Sequence, residues 1–268
     1  MPENTPSKMR IEYLRARKRK NIFVHTVQIF LLVAVFGLWE IAARAGLIDA
    51  FIVSSPSRIV ATVISLQRSG DLWLHIGTSC LETVIGFTVG TVLGTVIAAG
   101  LWWSKTVSRI LDPYLVILNA LPKTALGPIF IVWIGAGTAS IIAMTLAISI
   151  VVTILNMHVG FISTDPQKLR LMSALGANRR QIFKNLVFPA NYDTLFNTLK
   201  VNVGLSWVGV IMGEFLVSKA GLGYLIVYGS QVFNMDLVMA TVLLLAVAAV
   251  VMYQGIIRLE SIIKKHLE

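Results

Sequence analysis

Apolar residues in this chain come in long blocks, not in the two-residue alternation of a strand. The blocks cover residues 22–43, 73–101, 110–134, 139–159, 191–217 and 237–257. Each is near or above the ~20 residues that a helix needs to cross a hydrocarbon layer of ~30 Å. The pattern predicts an all-α membrane protein with six transmembrane helices. Residues 47–72 are mixed, with Pro56 and an amphipathic stretch over 57–66. Gly135-Ala136-Gly137 separates the third block from the fourth. A polar segment covers 163–185, and a Gly-rich turn region ends near Asp236. A basic arm, residues 1–21, precedes the first block, and a basic tail, residues 260–268, follows the last.

Composition agrees with lipid as the main solvent. Hydrophobic residues make up 56% of the chain and charged residues 13%, about half the charge of a soluble domain. The formal net charge of +10 would suggest nucleic acid in a soluble protein, but aromatic-interleaved basic patches are absent. The basic residues instead cluster in the loops between blocks, which fits control of topology. Six spans put both termini on one face. Of the 23 Lys and Arg, 17 fall on that face and four on the other, with Lys123 and Lys200 inside spans. The excess predicts cytoplasmic termini. Cys80 is the single cysteine, so an intrachain disulfide or a thiolate metal cluster is excluded. The long basic start, and an apolar block without a small-residue cleavage site, argue against a cleavable signal peptide.

Several residues inside the blocks ask for an explanation. Gly86, Gly90 and Gly94 lie on one helix face, suited to close approach of another backbone, within the chain or at a subunit interface. Pro113, Pro122 and Pro128 interrupt the third block. A broken helix is tolerated where it faces protein or a water-filled cavity, so residues 121–128 are either a pathway lining or a structural kink. Glu40, Glu82, Lys123, Lys200 and Glu214 are ionisable groups within apolar segments, where they are costly. In the fifth block Asn197, Lys200, Gly204, Trp207, Ile211 and Glu214 recur at steps of three and four, predicting one face turned into the bundle. Lys123 and Lys200 would draw an anion along a pathway or snorkel to the interface. Glu214 would pair with a lysine or brace a gate. Glu40 is expected as a structural partner or at the outer boundary, and Glu82 as facing water. Asn119, Pro122, Lys123, Asn197, Lys200, Trp207 and Glu214 are therefore the candidate pathway residues. His75 and His158 lie near span ends with no second ligand spaced for a metal. Trp73, Trp102, Trp103 and Trp133 fall at expected membrane interfaces.

The polar segment is the most informative. Asp165-Pro166 starts a helix, with a capping acid and proline at the first position. Gly176 ends it, and Asn178 caps a second short helix running to Leu186. Two short helices joined at Gly176 make a rigid handle through which a soluble partner can move the spans.

Here the sequence resembles the permease subunits of ATP-binding-cassette (ABC) importers. Gly176, nine residues, then Leu186-Val187-Phe188-Pro189 matches the spacing of their loop signature: Glu-Ala-Ala, three residues, Gly, nine residues, Ile-x-Leu-Pro. Arg170-Leu171-Met172 stands where that family has Glu-Ala-Ala, while Ala174-Leu175-Gly176-Ala177 and Arg179-Arg180 fit. The likeness extends over roughly residues 72–260. Asp112-Pro113, Leu121-Pro122-Lys123-Thr124-Ala125, Trp133-Ile134-Gly135, Gly213-Glu214-Phe215 and Ala220-Gly221-Leu222-Gly223-Tyr224 are similar to the subfamily importing nitrate, bicarbonate, taurine and alkanesulfonates.

The resemblance implies a type I permease bundle whose core is residues 73–259, after a first span and extracytoplasmic segment at 22–72. It implies a coupling helix between spans 4 and 5, docking on the ATPase through Arg170, Ser173, Ala174, Leu175, Gly176, Ala177, Arg179, Arg180 and Phe183. It also implies a second permease copy, two cytoplasmic ATPase subunits, an extracytoplasmic binding protein and a bacterial inner membrane. No Gly-x-x-x-x-Gly-Lys-Ser/Thr loop occurs in the sequence, so ATP and Mg are expected on the partners, with no catalytic residue, cofactor or metal in this chain. The expected cargo is a small anion moved by alternating access. A pyrimidine or riboflavin type of vitamin precursor is the alternative. An ATPase-independent carrier would need an inverted repeat, and a membrane enzyme a cluster of His, Asp or Cys. Neither pattern is present.

Overall fold

The computed structural model describes residues 8–267; the first seven residues of the expected basic arm lie outside it. The chain is helical throughout. Helix α1 (Lys8–Arg44) carries the first span and extends back through the described part of the basic arm. Short α2 (Ala50–Val53) and amphipathic α3 (Pro56–Ser69) follow, then the long α4 (Asp71–Trp103). The third block divides into α5 (Lys105–Ala120), a 3-10 turn (Lys123–Leu126) and α6 (Gly127–Ile134). Next come α7 (Thr138–Ile162), α8 (Pro166–Ala174) and α9 (Arg179–Ile182). A π turn (Phe183–Val187) runs into α10 (Phe188–Ala190), followed by α11 (Tyr192–Val217), α12 (Leu222–Gln231) and α13 (Met235–Leu267).

Among the described residues five helices are long and apolar enough to cross a membrane, and the pair α5 and α6 makes a sixth span only as a broken one, bent by 88°. The bend falls at Leu121-Pro122, where proline removes a backbone donor and its neighbour is pushed to extended geometry. Leu121 indeed has ψ 136°. The Lys123 ammonium donates to the freed Asn119 carbonyl at 2.9 Å, a cation closing a helix C-terminus.

The core is the trio α4, α7 and α11. Glycines of α4 meet hydroxyl residues of α7 at matching four-residue intervals. A methyl group on Gly86 would stand 2.6 Å from Thr145 Cγ2, one on Gly94 2.6 Å from Thr153 Cβ, and one on Gly90 would run into Ser149. The glycine stripe therefore packs within the chain. Thr145, Ser149 and Thr153 return their hydroxyl protons to carbonyls one turn back at 2.8–3.0 Å. They thus stay small and satisfied in a dry seam. Asn202 of α11 completes the trio, donating to Thr153 at 2.7 Å and Thr91 at 3.3 Å.

The expected Gly-rich turn before the last span contains a ten-residue helix, α12. Gly223 and Gly229 each weaken it by roughly 1 kcal/mol relative to alanine, but a Cβ at either would meet atoms of α11 or α13 within 3.0 Å. Close packing overrides propensity here. Glu40 is a partner to α3, accepting from Ser57 N at 3.0 Å and Ser57 Oγ at 2.9 Å while bridged to Arg44. Arg58 and Ser54 bind Asp236 at 2.8 and 2.7 Å and so tie this region to the start of α13. Helix α13 continues through the expected tail to Leu267.

Candidate functional site

The handle is built as its sequence suggests, with one addition. Asp165 accepts from Gln167 N at 2.8 Å, with Pro166 at the first helical position. Gly176 has φ +80°, and the amides of Ala177 and Gly176 reach back to Met172 and Ser173, both at 3.0 Å. That is a Schellman closure, which needs a left-handed residue at this point. Asn178 and Gln181 exchange backbone bonds at 2.8 and 2.9 Å in a capping box. The addition lies beyond it: the second helix does not stop at Leu186, since α9, the π turn and α10 run on continuously to a break at Asn191. A π turn leaves the proline ring room and frees carbonyls, of which Val187 O is taken by Asn191 Nδ2 at 2.8 Å.

The handle is rooted on the bundle by rings. Phe183 is half-buried, with ring centroids 5.1 Å from Trp102 and 5.3 Å from Phe161. Arg179 lies over Trp102 at 5.5 Å. Phe183 therefore anchors the segment, while Arg170, Ser173, Ala174, Leu175, Gly176 and Arg180 stand exposed beyond it and Ala177 is half-buried. The tip is apolar as well as basic: Leu171 is 61% and Leu175 73% exposed. A docking surface for a partner protein has this composition, with apolar anchors inside a charged rim.

At the opposite end of the bundle, α4 and α11 clasp the loop leading into α12. The Glu214 carboxylate accepts from Ser79 Oγ and from Gly223 N, each at 2.5 Å. The Ser79 hydroxyl oxygen accepts from Leu222 N at 2.7 Å, and His75 Nδ1 from Gly221 N at 2.9 Å. The His75 ring stacks on Tyr224 at 5.9 Å. Thus three consecutive backbone amides at the start of α12 are held by side chains from two other helices. Gly221 has φ +121°, and a Cβ there would overlap the Glu214 carboxyl. Glu82 is 1% exposed and lies beside Glu214; it does not face water. Thr138 at the start of α7 and Glu214 of α11 lie against it and close it off. His75, Ser79 and Glu82 were not among the candidate residues. Their signal was present, as polar side chains within one apolar span at steps of four and three.

The pathway candidates separate. Asn119 and Pro122 are exposed at the broken span, with Lys123 half-buried beside them. The expected single stripe on α11 does not hold together. Asn197 and Gly204 are exposed, but Trp207 is 4% exposed against α4 and α13, and Glu214 turns to α12. Lys200 is paired with Glu260 of α13 at 2.7 Å, and Lys264 links Glu260 to Asp193. The reason is helical drift. At 3.6 residues per turn, the seventeen steps from Asn197 to Glu214 rotate the side chain by roughly 100°. On the open face, Asn156, Ser163, Thr194, Asn197 and Thr198 line a recess of 490 Å³ between α7 and α11.

The sequence pattern of the family described as binding-protein-dependent transport system inner membrane component matches residues 90–266. The chain belongs to that family. It is 30% identical over 84% of its length to the formylaminopyrimidine transport permease protein ThiX of Halalkalibacterium halodurans, covering 90% of that protein. The aliphatic sulfonates permease SsuC of Bacillus subtilis is 26% identical over 80% of this chain and 77% of its own. The taurine permease TauC of Escherichia coli is 23% identical over 86% of both chains. Among solved structures, a bacterial ABC transporter importing alginate aligns with 91% of this chain and 97% of its own at TM-score 0.63 and 14% identity. The MetNI methionine transporter aligns with 71% of this chain and 96% of its own at TM-score 0.59 and 17% identity. The fold is that of ABC permeases. This chain is a multi-pass ABC importer permease of the group that includes the sulfonate and taurine permeases.

Proposed function

We propose that this permease pairs with a second copy of itself to form the translocation pathway of an ATP-driven importer, with both termini in the cytoplasm. Two ATPase subunits carrying ATP and Mg would dock on the tips of the two handles, and a binding protein would deliver solute from the other side. The observation that carries this reading is the rooting of residues 169–186: a capped helix pair with an apolar and basic tip, fixed to α4 and α7 through Phe183. A push on the tip would reach the core trio through Phe183, which packs on Trp102 of α4 and Phe161 of α7. The clasp on α12 marks the opposite end as the second rigid point about which spans can rock.

For the cargo, the recess between α7 and α11 offers amides and hydroxyls and no charge, while the Lys200 ammonium is occupied by Glu260. This favours a small polar solute that hydrogen-bonds without net charge, in keeping with the formylaminopyrimidine permease as a relative. A second reading, a small anion such as taurine, an alkanesulfonate, nitrate or bicarbonate, draws on Lys123 at the broken span. Competition of these solutes and of pyrimidine and riboflavin-type precursors for the cognate binding protein, followed by uptake, separates the two readings. Gly176→Pro, or Arg179→Glu with Arg180→Glu, should abolish uptake and ATPase co-purification while the permease stays in the membrane. Normal uptake in those variants would overturn the coupling role.

A further inference from the structure

Beside the root of the handle is a cavity of 240 Å³ that the transport reading does not use. Lys105, the first residue of α5, and Arg179, the first of α9, both line it. Among the described residues neither cation is in an ion pair. The start of the sixteen-residue α5 adds the positive end of a helix dipole. A polar pair adjoins them: His158, 5% exposed, holds the half-buried Ser108 hydroxyl at 2.8 Å. The remaining wall is apolar, with Phe161 fully buried at its floor and Ile162, 59% exposed, at its rim. The cavity lies at the C-terminal ends of α4 and α7, where the apolar spans give way to Trp102-Trp103 and the polar segment.

We propose that this cavity binds the phosphate headgroup of an anionic phospholipid from the cytoplasmic leaflet. Two cations outside any ion pair and a helix N-terminus select a phosphate oxyanion. The apolar rim beside them suits a ligand that carries an acyl chain, which a free inorganic anion lacks. The depth is that of a headgroup, on the face that the distribution of Lys and Arg assigns to the cytoplasm. Because Leu169 and Arg179 belong both to the cavity wall and to the handle, an occupied cavity braces the root of the handle against α4 and α5.

The test uses the full chain with its co-purifying subunits, in micelles mixed with phosphatidylglycerol and phosphatidylcholine. Lipid retained per chain is read by native mass spectrometry. Phosphatidylglycerol should be retained selectively. Lys105→Gln and Arg179→Gln should each lower its retention on the order of fivefold, and Arg68→Gln, in the last turn of α3, should not. Equal retention of phosphatidylcholine, unchanged retention in both cavity variants, or displacement of the lipid by millimolar inorganic phosphate would overturn the proposal. The cytoplasmic assignment rests on the topology proposed above. The readout needs neither transport nor ATP hydrolysis, so a failure of the coupling role would leave its result intact.

Discussion

Glu214 is the acceptor on which the clasp closes, and its removal is the sharpest test of that arrangement. Its carboxylate takes two buried hydrogen bonds of 2.5 Å, from Ser79 Oγ and Gly223 N. A hydrogen bond to a charged group contributes about 1.5–3 kcal/mol, and a donor left unmatched in a dry site costs a similar amount. Glu214→Gln keeps the volume and one carbonyl acceptor, but its amide meets a second donor; the expected loss is about 1.5–3 kcal/mol. At about 2–4 °C per kcal/mol for a chain of this size, melting should fall by roughly 3–12 °C. Glu214→Ala loses both acceptors and opens a cavity under α12, so its effect should be at least twice as large. The loop before α12 should also loosen. In a Cys80→Ser background, a cysteine at Ser218 should react faster with a membrane-impermeant maleimide in either Glu214 variant. Differential scanning fluorimetry of the purified complex measures the first effect, and labelling in vesicles the second. Unchanged melting and labelling in Glu214→Ala would refute the clasp.

Glu82→Gln should behave in the opposite way: its amide can donate to the neighbouring Glu214 carboxylate, so melting should hold or rise, and a fall of several degrees would count against the pairing. In the helix seam, Gly86→Ala places a methyl 2.7 Å from Thr145 Cβ, an atom that cannot swing away, and should cost about 1–3 kcal/mol in overpacking. Gly90→Ala meets mainly the rotatable Ser149 hydroxyl and should cost less; the reverse order of melting temperatures would argue against the seam. Lys200→Met breaks the pair with Glu260 and should lower stability modestly while sparing the apparent KM for uptake; a large rise in KM in a stable protein would return Lys200 to the pathway.

Much of this protein was legible along the chain because a bilayer leaves little choice. Long apolar blocks must be helices, since only a helix satisfies its own backbone in lipid. Caps act over three or four residues, so Asp165-Pro166, Gly176 and Asn178 could be read as helix ends without any tertiary contact. The same locality limits what a stripe shows. On α11, steps of three and four keep neighbouring pairs aligned but accumulate rotation over five turns. The burial of Glu82 is equally illegible, because nothing near it in sequence reveals that Glu214 of α11, far along the chain, packs beside it.

The sequence by itself determined that the chain is helical, that it lives in a membrane, which loops carry its positive charge, and that a capped helix pair separates two spans. These follow from periodicity, composition and chemistry within one helical turn. Only the tertiary structure decided that the glycine stripe faces α7 within the same chain, that Phe183 is a root, that Lys200 is occupied by Glu260, and that Glu214 holds α12. Each of these depends on which faces meet across large separations in sequence. That choice is made by packing volume and buried hydrogen bonds, which no local pattern encodes.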